Sequence, residues 1–71
     1  MTGKDLVRVR RLAKTGAARA IREDAELSLA ELARDVKVDK STVHRWEQGR
    51  RRPRGEAAHR YLAVLDELAA R

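Results

Sequence analysis

Leu29-Ala-Glu-Leu-Ala-Arg-Asp-Val-Lys-Val-Asp-Lys-Ser-Thr-Val-His-Arg-Trp-Glu-Gln48 contains two short helical stripes separated by three residues. Leu29, Leu32, Ala33 and Val36 follow the i, i+3, i+4, i+7 pattern of one helix face. Ser28 stands before them and Glu31 three residues later, the spacing of a capping box. Lys37-Val38-Asp39 follows, with Asp39 placed to cap a second helix and Thr42 at its third position. Val43 and Trp46, three apart, mark that helix's inner face, which makes Trp46 a core residue, and Gly49 sits where a helix ends in a left-handed residue. Two short helices joined by such a turn form a helix-turn-helix pattern. Ala33 is small where the two helices cross most closely, and Leu32, Val36, Val38, Val43 and Trp46 fill the space beneath. Lys40, Ser41, Thr42, His44 and Arg45 are left pointing outward. Two cations, two hydroxyls and an imidazole on one face can hydrogen-bond base edges and phosphates in a major groove.

Helical spacing continues on both sides. Leu6, Val9, Ala13, Ala17, Ala20 and Ile21 fall on one stripe, interrupted at Thr15-Gly16. Threonine caps helices and glycine weakens them, so the spacing predicts a break into helices of about 5–14 and 16–24, with one kinked helix as the alternative. Residues 1–14 read as an amphipathic basic helix, its apolar residues covering a core or a partner protomer and Arg8, Arg10 and Arg11 turned outward toward phosphates. After Gly49 comes a basic loop, Arg50 to Gly55, holding the only proline, Pro53. A last helix is predicted over about 55–69, with Ala58, Tyr61, Leu62, Leu65 and Leu68 inward. No long β-branched alternation is present. The expected fold is all-α: one domain over 1–71, a compact bundle of four to five short helices with the helix-turn-helix at 28–48.

Composition narrows the function. Seventy-one residues form one domain with a small core, burying roughly 60% of the unfolded surface. The chain has no cysteine, so disulfides, cysteine-zinc sites and thiol nucleophiles are excluded. His44 and His59 lie on different predicted helices, Ser28 and Ser41 are explained as helix-start residues, and no glycine-rich phosphate loop occurs. An enzyme, a cofactor and a small-molecule substrate are therefore not expected. One Trp, one Tyr and no Phe leave little for stacking unpaired bases. No apolar run approaches the roughly 20 residues of a membrane span, and the basic N-terminal stretch lacks a signal-peptide core. The expected location is the cytoplasm, in association with the nucleoid.

Charge is unevenly placed. The net charge is +6, with 17 Lys and Arg against 11 Asp and Glu. Residues 1–14 carry five positive and one negative charge, and residues 40–54 carry six and one. Residues 15–39 carry four positive and six negative. Two basic blocks flank an acidic middle, the footprint of a polyanion binder.

These residues resemble the lambda-repressor/Cro-type helix-turn-helix, or XRE, family over about 20–65. The resemblance rests on Ile21-Arg22, Leu27-Ser28, Glu31-Leu32-Ala33, Val38, Ser41-Thr42-Val43, Arg45-Trp46-Glu47-Gln48-Gly49 and Pro53. It implies base contacts from Lys40, Ser41, Thr42 and Arg45. It implies phosphate contacts from Ser28, Gln48, Arg50, Arg51, Arg52 and Arg54. His44, on the same outward face, is read apart from the resemblance as a phosphate neighbour or a solvated residue rather than a base reader. The resemblance also implies a structural ion pair between Arg22 and Glu47. Three features depart from the family: Leu29 stands where glutamine is usual, Lys37 where glycine is usual, and no residues remain for the added dimerising helix. If the turn needs a positive φ, Lys37 adopts it under strain.

The expected function is that of a sequence-specific double-stranded DNA-binding transcriptional regulator, Cro- or repressor-like, of phage or actinobacterial type. Its homodimer would be weak or formed only on DNA, and no membrane contact is expected. Three alternatives compete: an excisionase-like or architectural factor that bends DNA, an antitoxin or adaptor gripping a protein, and a membrane-surface helix over 1–14.

Overall fold

The computed structural model describes residues 1–71 as five helices with no strand. They are α1 (Gly3–Thr15), α2 (Ala17–Asp24), α3 (Leu29–Val36), α4 (Lys40–Glu47) and α5 (Gly55–Ala69). The expected all-α helix-turn-helix bundle is the observed one. Val9 and Ala13 of α1, Ala18 of α2, Leu32, Ala33 and Val36 of α3, Val43 and Trp46 of α4, and Ala58, Tyr61, Leu62 and Leu65 of α5 form one buried cluster. The Trp46 and Tyr61 rings lie 4.7 Å apart at 30°, an aromatic contact joining α4 to α5. α5 runs behind the others and packs on α1, α2 and α3. Leu32 is fully buried at the centre, so truncation to alanine there should cost about 2–5 kcal/mol.

The break between α1 and α2 falls at Gly16, whose φ of 89° closes one helix and opens the next. Thr15 is the last residue of α1 and Gly16 takes the cap position of α2, yet the Thr15 hydroxyl still accepts from Ala17 N–H, the first of α2, at 3.4 Å. The reversal rotates the helical phase. Ala18 is buried instead of Ala17 and Ala20, Arg22 takes a core position beside it, and Leu6, Ile21 and Leu68 are half-buried at the rim. α1 begins two residues earlier than expected, because Thr2 and Asp5 form a capping box: Asp5 N–H donates to Thr2 Oγ1 at 3.1 Å.

Three helix ends share one closure, in which the residue after a left-handed one donates to a carbonyl five back. After α2, Leu27 N–H donates to Arg22 O, with Glu26 at φ 57°. After α3, Val38 N–H donates to Ala33 O, with Lys37 at φ 64°. After α4, Arg50 N–H donates to Arg45 O, with Gly49 at φ 74°. Only the last uses the residue that adopts this conformation without a Cβ clash. The Lys37 closure sets the angle between α3 and α4, and so the aim of α4.

Candidate nucleic-acid interface

α4 presents the polar face that its spacing predicted. Lys40, Ser41, His44 and Arg45 are exposed, and Thr42 is half-buried, while Val43 and Trp46 pin the opposite face to the core. Asp39 occupies the cap position in an extended conformation, but its carboxylate makes no capping bond, contrary to its expected role. Residue type alone did not settle that rotamer. Ser28, at the start of α3, does cap: its hydroxyl accepts from Glu31 N–H at 3.0 Å, and Glu31 Oε1 accepts from Ser28 N–H at 2.9 Å. These bonds hold the Glu31 carboxyl below its usual range, first through the Ser28 backbone N–H and then through its hydroxyl.

Arg22 and Glu47 fix α4 from behind. Arg22 Nε donates to Glu47 Oε2 at 2.7 Å, and Nη2 donates to Oε1 at 3.0 Å. Nη1 donates to Leu27 O at 2.9 Å. The two side chains are 11% and 3% exposed, so this is a bidentate pair removed from water. The Glu47 carboxylate pushes the Arg22 pKa higher still, and the guanidinium stays charged. Tyr61 lies in the same field. Burial, then the Glu47 carboxylate, raises its phenol well above the ordinary range, and its buried hydroxyl has no hydrogen-bond partner.

Past Gly49 the chain turns sharply and displays Arg50, Arg51, Arg52 and Arg54, all exposed. Pro53 is fully buried between them and anchors the loop to the core. None of the four arginines has an acidic partner. Thr42 and Arg45 meet Arg51, Arg52 and Arg54 around one groove of about 290 Å³ floored by Val38, Trp46 and Ala57. His44 and Gln48 meet in a smaller pocket of about 110 Å³ at the other edge of α4, with Arg19, Leu29 and the Arg22–Glu47 pair. Arg50 lines neither, and Lys40 and Ser41 stand free at the start of α4.

Two expectations for the N-terminal cations are corrected. Arg8 is not free for phosphate: its two terminal nitrogens donate to Asp66 of α5 at 2.8 and 2.7 Å. Arg10 is held too, its Nε donating to Pro53 O at 2.9 Å. Both follow from α1 lying against α5 and the loop, a long-range placement that no local pattern states. Arg11 remains exposed and unpaired. Arg19 and Lys14 were not singled out. Arg19 lies three residues before Arg22, and Lys14 three after Arg11, so helical spacing was the available signal.

Residues 16–70 match a family model described as a helix-turn-helix domain. The chain belongs to this helix-turn-helix domain family. It is a DNA-binding protein of that kind, and α3 and α4 are its paired helices. No curated protein and no solved structure matches the chain. The helix-turn-helix match leaves out the whole of α1. No group of His, Asp and Glu is arranged to hold a metal ion, and no helix is long and apolar enough to cross a membrane.

Proposed function

We propose that this helix-turn-helix protein is a sequence-specific regulator of transcription of the lambda-repressor/Cro type, acting by occupancy of its site. α4 enters the major groove with Lys40, Ser41, Thr42 and Arg45 toward base edges. Ser28, His44, Gln48, Arg50, Arg51, Arg52 and Arg54 contact the phosphates on either side. One observation supports this most: the exposed face of α4 runs without interruption into arginines that no carboxylate neutralises. A reading element thus sits directly beside a backbone clamp. Residues 1–71 act as one DNA-binding unit in the nucleoid. Two copies meet weakly, or only on DNA, at half-sites about 34 Å apart.

The test is a salt titration on a duplex selected from a random pool and on its scrambled counterpart. Arg45→Ala should cost about 1–3 kcal/mol on the selected duplex and relax preference at one base pair. Arg51→Ala should weaken both duplexes alike and reduce the slope of log K against log salt by about 0.9. Equal losses on both duplexes for Arg45→Ala would mean that α4 is docked in another orientation. Failure of the chain to prefer any selected duplex would replace sequence reading with an architectural, bending role. Palindromy in the selected pool reports the dimer.

A further inference from the structure

A second basic recess lies on the far side of the Arg51–Arg52 ridge. It is a cleft of about 180 Å³ between the C-terminal half of α1 and the loop after α4. Arg10, Arg11, Lys14, Arg51 and Arg52 line it, Trp46 contributes an apolar wall, and no acidic residue faces it. None of the four ion pairs in the molecule involves these five cations. In a chain with 11 carboxylates, five cations around one small cleft with no counter-charge repel one another. A bound anion removes that cost. Arg51, Arg52 and Trp46 also line the groove beside Thr42 and Arg45, so the two recesses share a wall. The whole molecule measures 29 by 25 by 21 Å, within one turn of a duplex held by α4.

We propose that this cleft binds a backbone phosphate of the same DNA duplex, so that α1 extends the footprint beyond the helix-turn-helix domain. The inference rests on the DNA-reading role of α4. Arg11 and Lys14 supply the exposed charges. Arg10 plays a different part: its bond to Pro53 O ties the loop to α1 and fixes the spacing of the cleft's two walls. A small phosphorylated ligand offers the same chemistry, and the experiment separates it from DNA.

The experiment uses the full chain and the double variant Arg11→Gln/Lys14→Gln. Both positions are exposed, so folding should be retained, and thermal unfolding verifies it. Affinity is measured against salt on the selected duplex, with hydroxyl-radical footprinting of the same complexes. Loss of that one neutralised phosphate should lower the log–log slope by about 0.9, so that wild type loses about 3.5-fold more affinity than the variant between roughly 50 and 200 mM salt. Wild type should protect one or two backbone positions outside the α4 footprint, and the variant should lose that protection alone. Unchanged slope and footprint, with α4 protection intact, would overturn the cleft assignment and leave the proposed function standing. No binding of any duplex by wild type would overturn both. Inorganic phosphate or a nucleotide that binds wild type but not the variant, with the footprint unchanged, would assign the cleft to a small anion and overturn the DNA proposal.

Discussion

Arg22–Glu47 and Arg8–Asp66 are both bidentate arginine–carboxylate pairs, with shortest contacts of 2.7 Å, and each joins two helices distant in sequence. Their surroundings differ. The first pair has side chains 11% and 3% exposed, against 49% for both members of the second. Hydrogen-bond geometry is therefore matched while the dielectric is not. Screening by water makes exposed pairs weak, whereas buried pairs interact strongly but carry a desolvation cost. Arg22–Glu47 serves less as net stabilisation than as a register device, since neither partner can leave without stranding the other's charge. It sets the height of α4 against α2, and hence how far the exposed face of α4 projects. Arg8–Asp66 steadies α1 on α5 and can be lost at small cost.

The largest expected effect follows directly. Glu47→Ala should destabilise the fold by about 3–5 kcal/mol, because it leaves the Arg22 guanidinium buried and uncompensated. For a domain of this size that lowers the melting temperature by about 12 °C or more. Arg22→Ala combined with Glu47→Ala should cost less than the sum of the single changes. A melting temperature for Glu47→Ala no lower than that for Asp66→Ala would show that burial does not separate the two pairs.

Why one of these pairs was legible in the sequence and the other was not is a matter of range. Arg22 and Glu47 sit inside the helix-turn-helix pattern, and the resemblance of that pattern to a family points to both. Asp66 lies 58 residues from Arg8 with no periodicity linking them. The same division holds across the molecule. The capping box at Ser28, the inner stripe Leu32, Val36, Val43 and Trp46, and the exposed residues of α4 are set by spacing within a few turns. The phase change at Gly16 was not legible, nor was the α1–loop contact through Arg10, because both depend on how completed helices dock. Lys37 falls between: its departure from glycine was visible, and the structure shows the conformation it adopts.

That position gives the next effect in size. Lys37 and Gly49 close equivalent helix ends, with φ of 64° and 74°. Left-handed conformation costs a residue with a Cβ roughly 1–2 kcal/mol, partly offset by the greater unfolded-state freedom of glycine. Lys37→Gly should therefore stabilise the protein by about 1 kcal/mol, whereas Gly49→Ala should destabilise it by a similar amount. Urea midpoints on the two variants are enough. A Lys37→Gly protein that is less stable than wild type would mean that the lysine stem contributes packing that outweighs its backbone strain.

Tyr61 probes the environment of the buried pair with a smaller change. Its hydroxyl is buried without a partner beside Arg22 and Glu47, so Tyr61→Phe removes an unsatisfied polar atom and keeps the ring against Trp46. Replacement should be neutral or stabilising by up to about 1 kcal/mol. A clear loss on thermal unfolding would show that the hydroxyl is hydrogen-bonded in solution, for instance to a water bridging to the pair.

The smallest effect belongs to the exposed pair, and its dependence on pH and salt distinguishes it from the buried one. The hydrogen bond from Arg8, and then its charge, holds the Asp66 carboxyl below its usual range. Arg8 stays protonated throughout, so only Asp66 titrates. A carboxyl whose folded pKa is depressed binds protons less readily than in the unfolded chain. Its contribution to stability is therefore fully present above the unfolded value, near pH 4, and is lost as pH falls through the folded value. Asp66→Asn keeps the shape and one acceptor but removes the charge. The variant should be slightly less stable than wild type at about pH 7, and the two should converge at about pH 2. Glu31, depressed by its own capping bonds, titrates in the same acid range in both proteins, so it cancels from the difference. At about 1 M salt the Debye length falls to about 3 Å, and the Asp66→Asn difference should shrink even at neutral pH. The Glu47→Ala difference should persist there, because that pair is shielded from the ions. Urea midpoints for both variants at low and high salt carry the whole test. An Asp66→Asn deficit that survived high salt would show that Arg8–Asp66 is held away from solvent, and a Glu47→Ala deficit that vanished would show that Arg22–Glu47 is not.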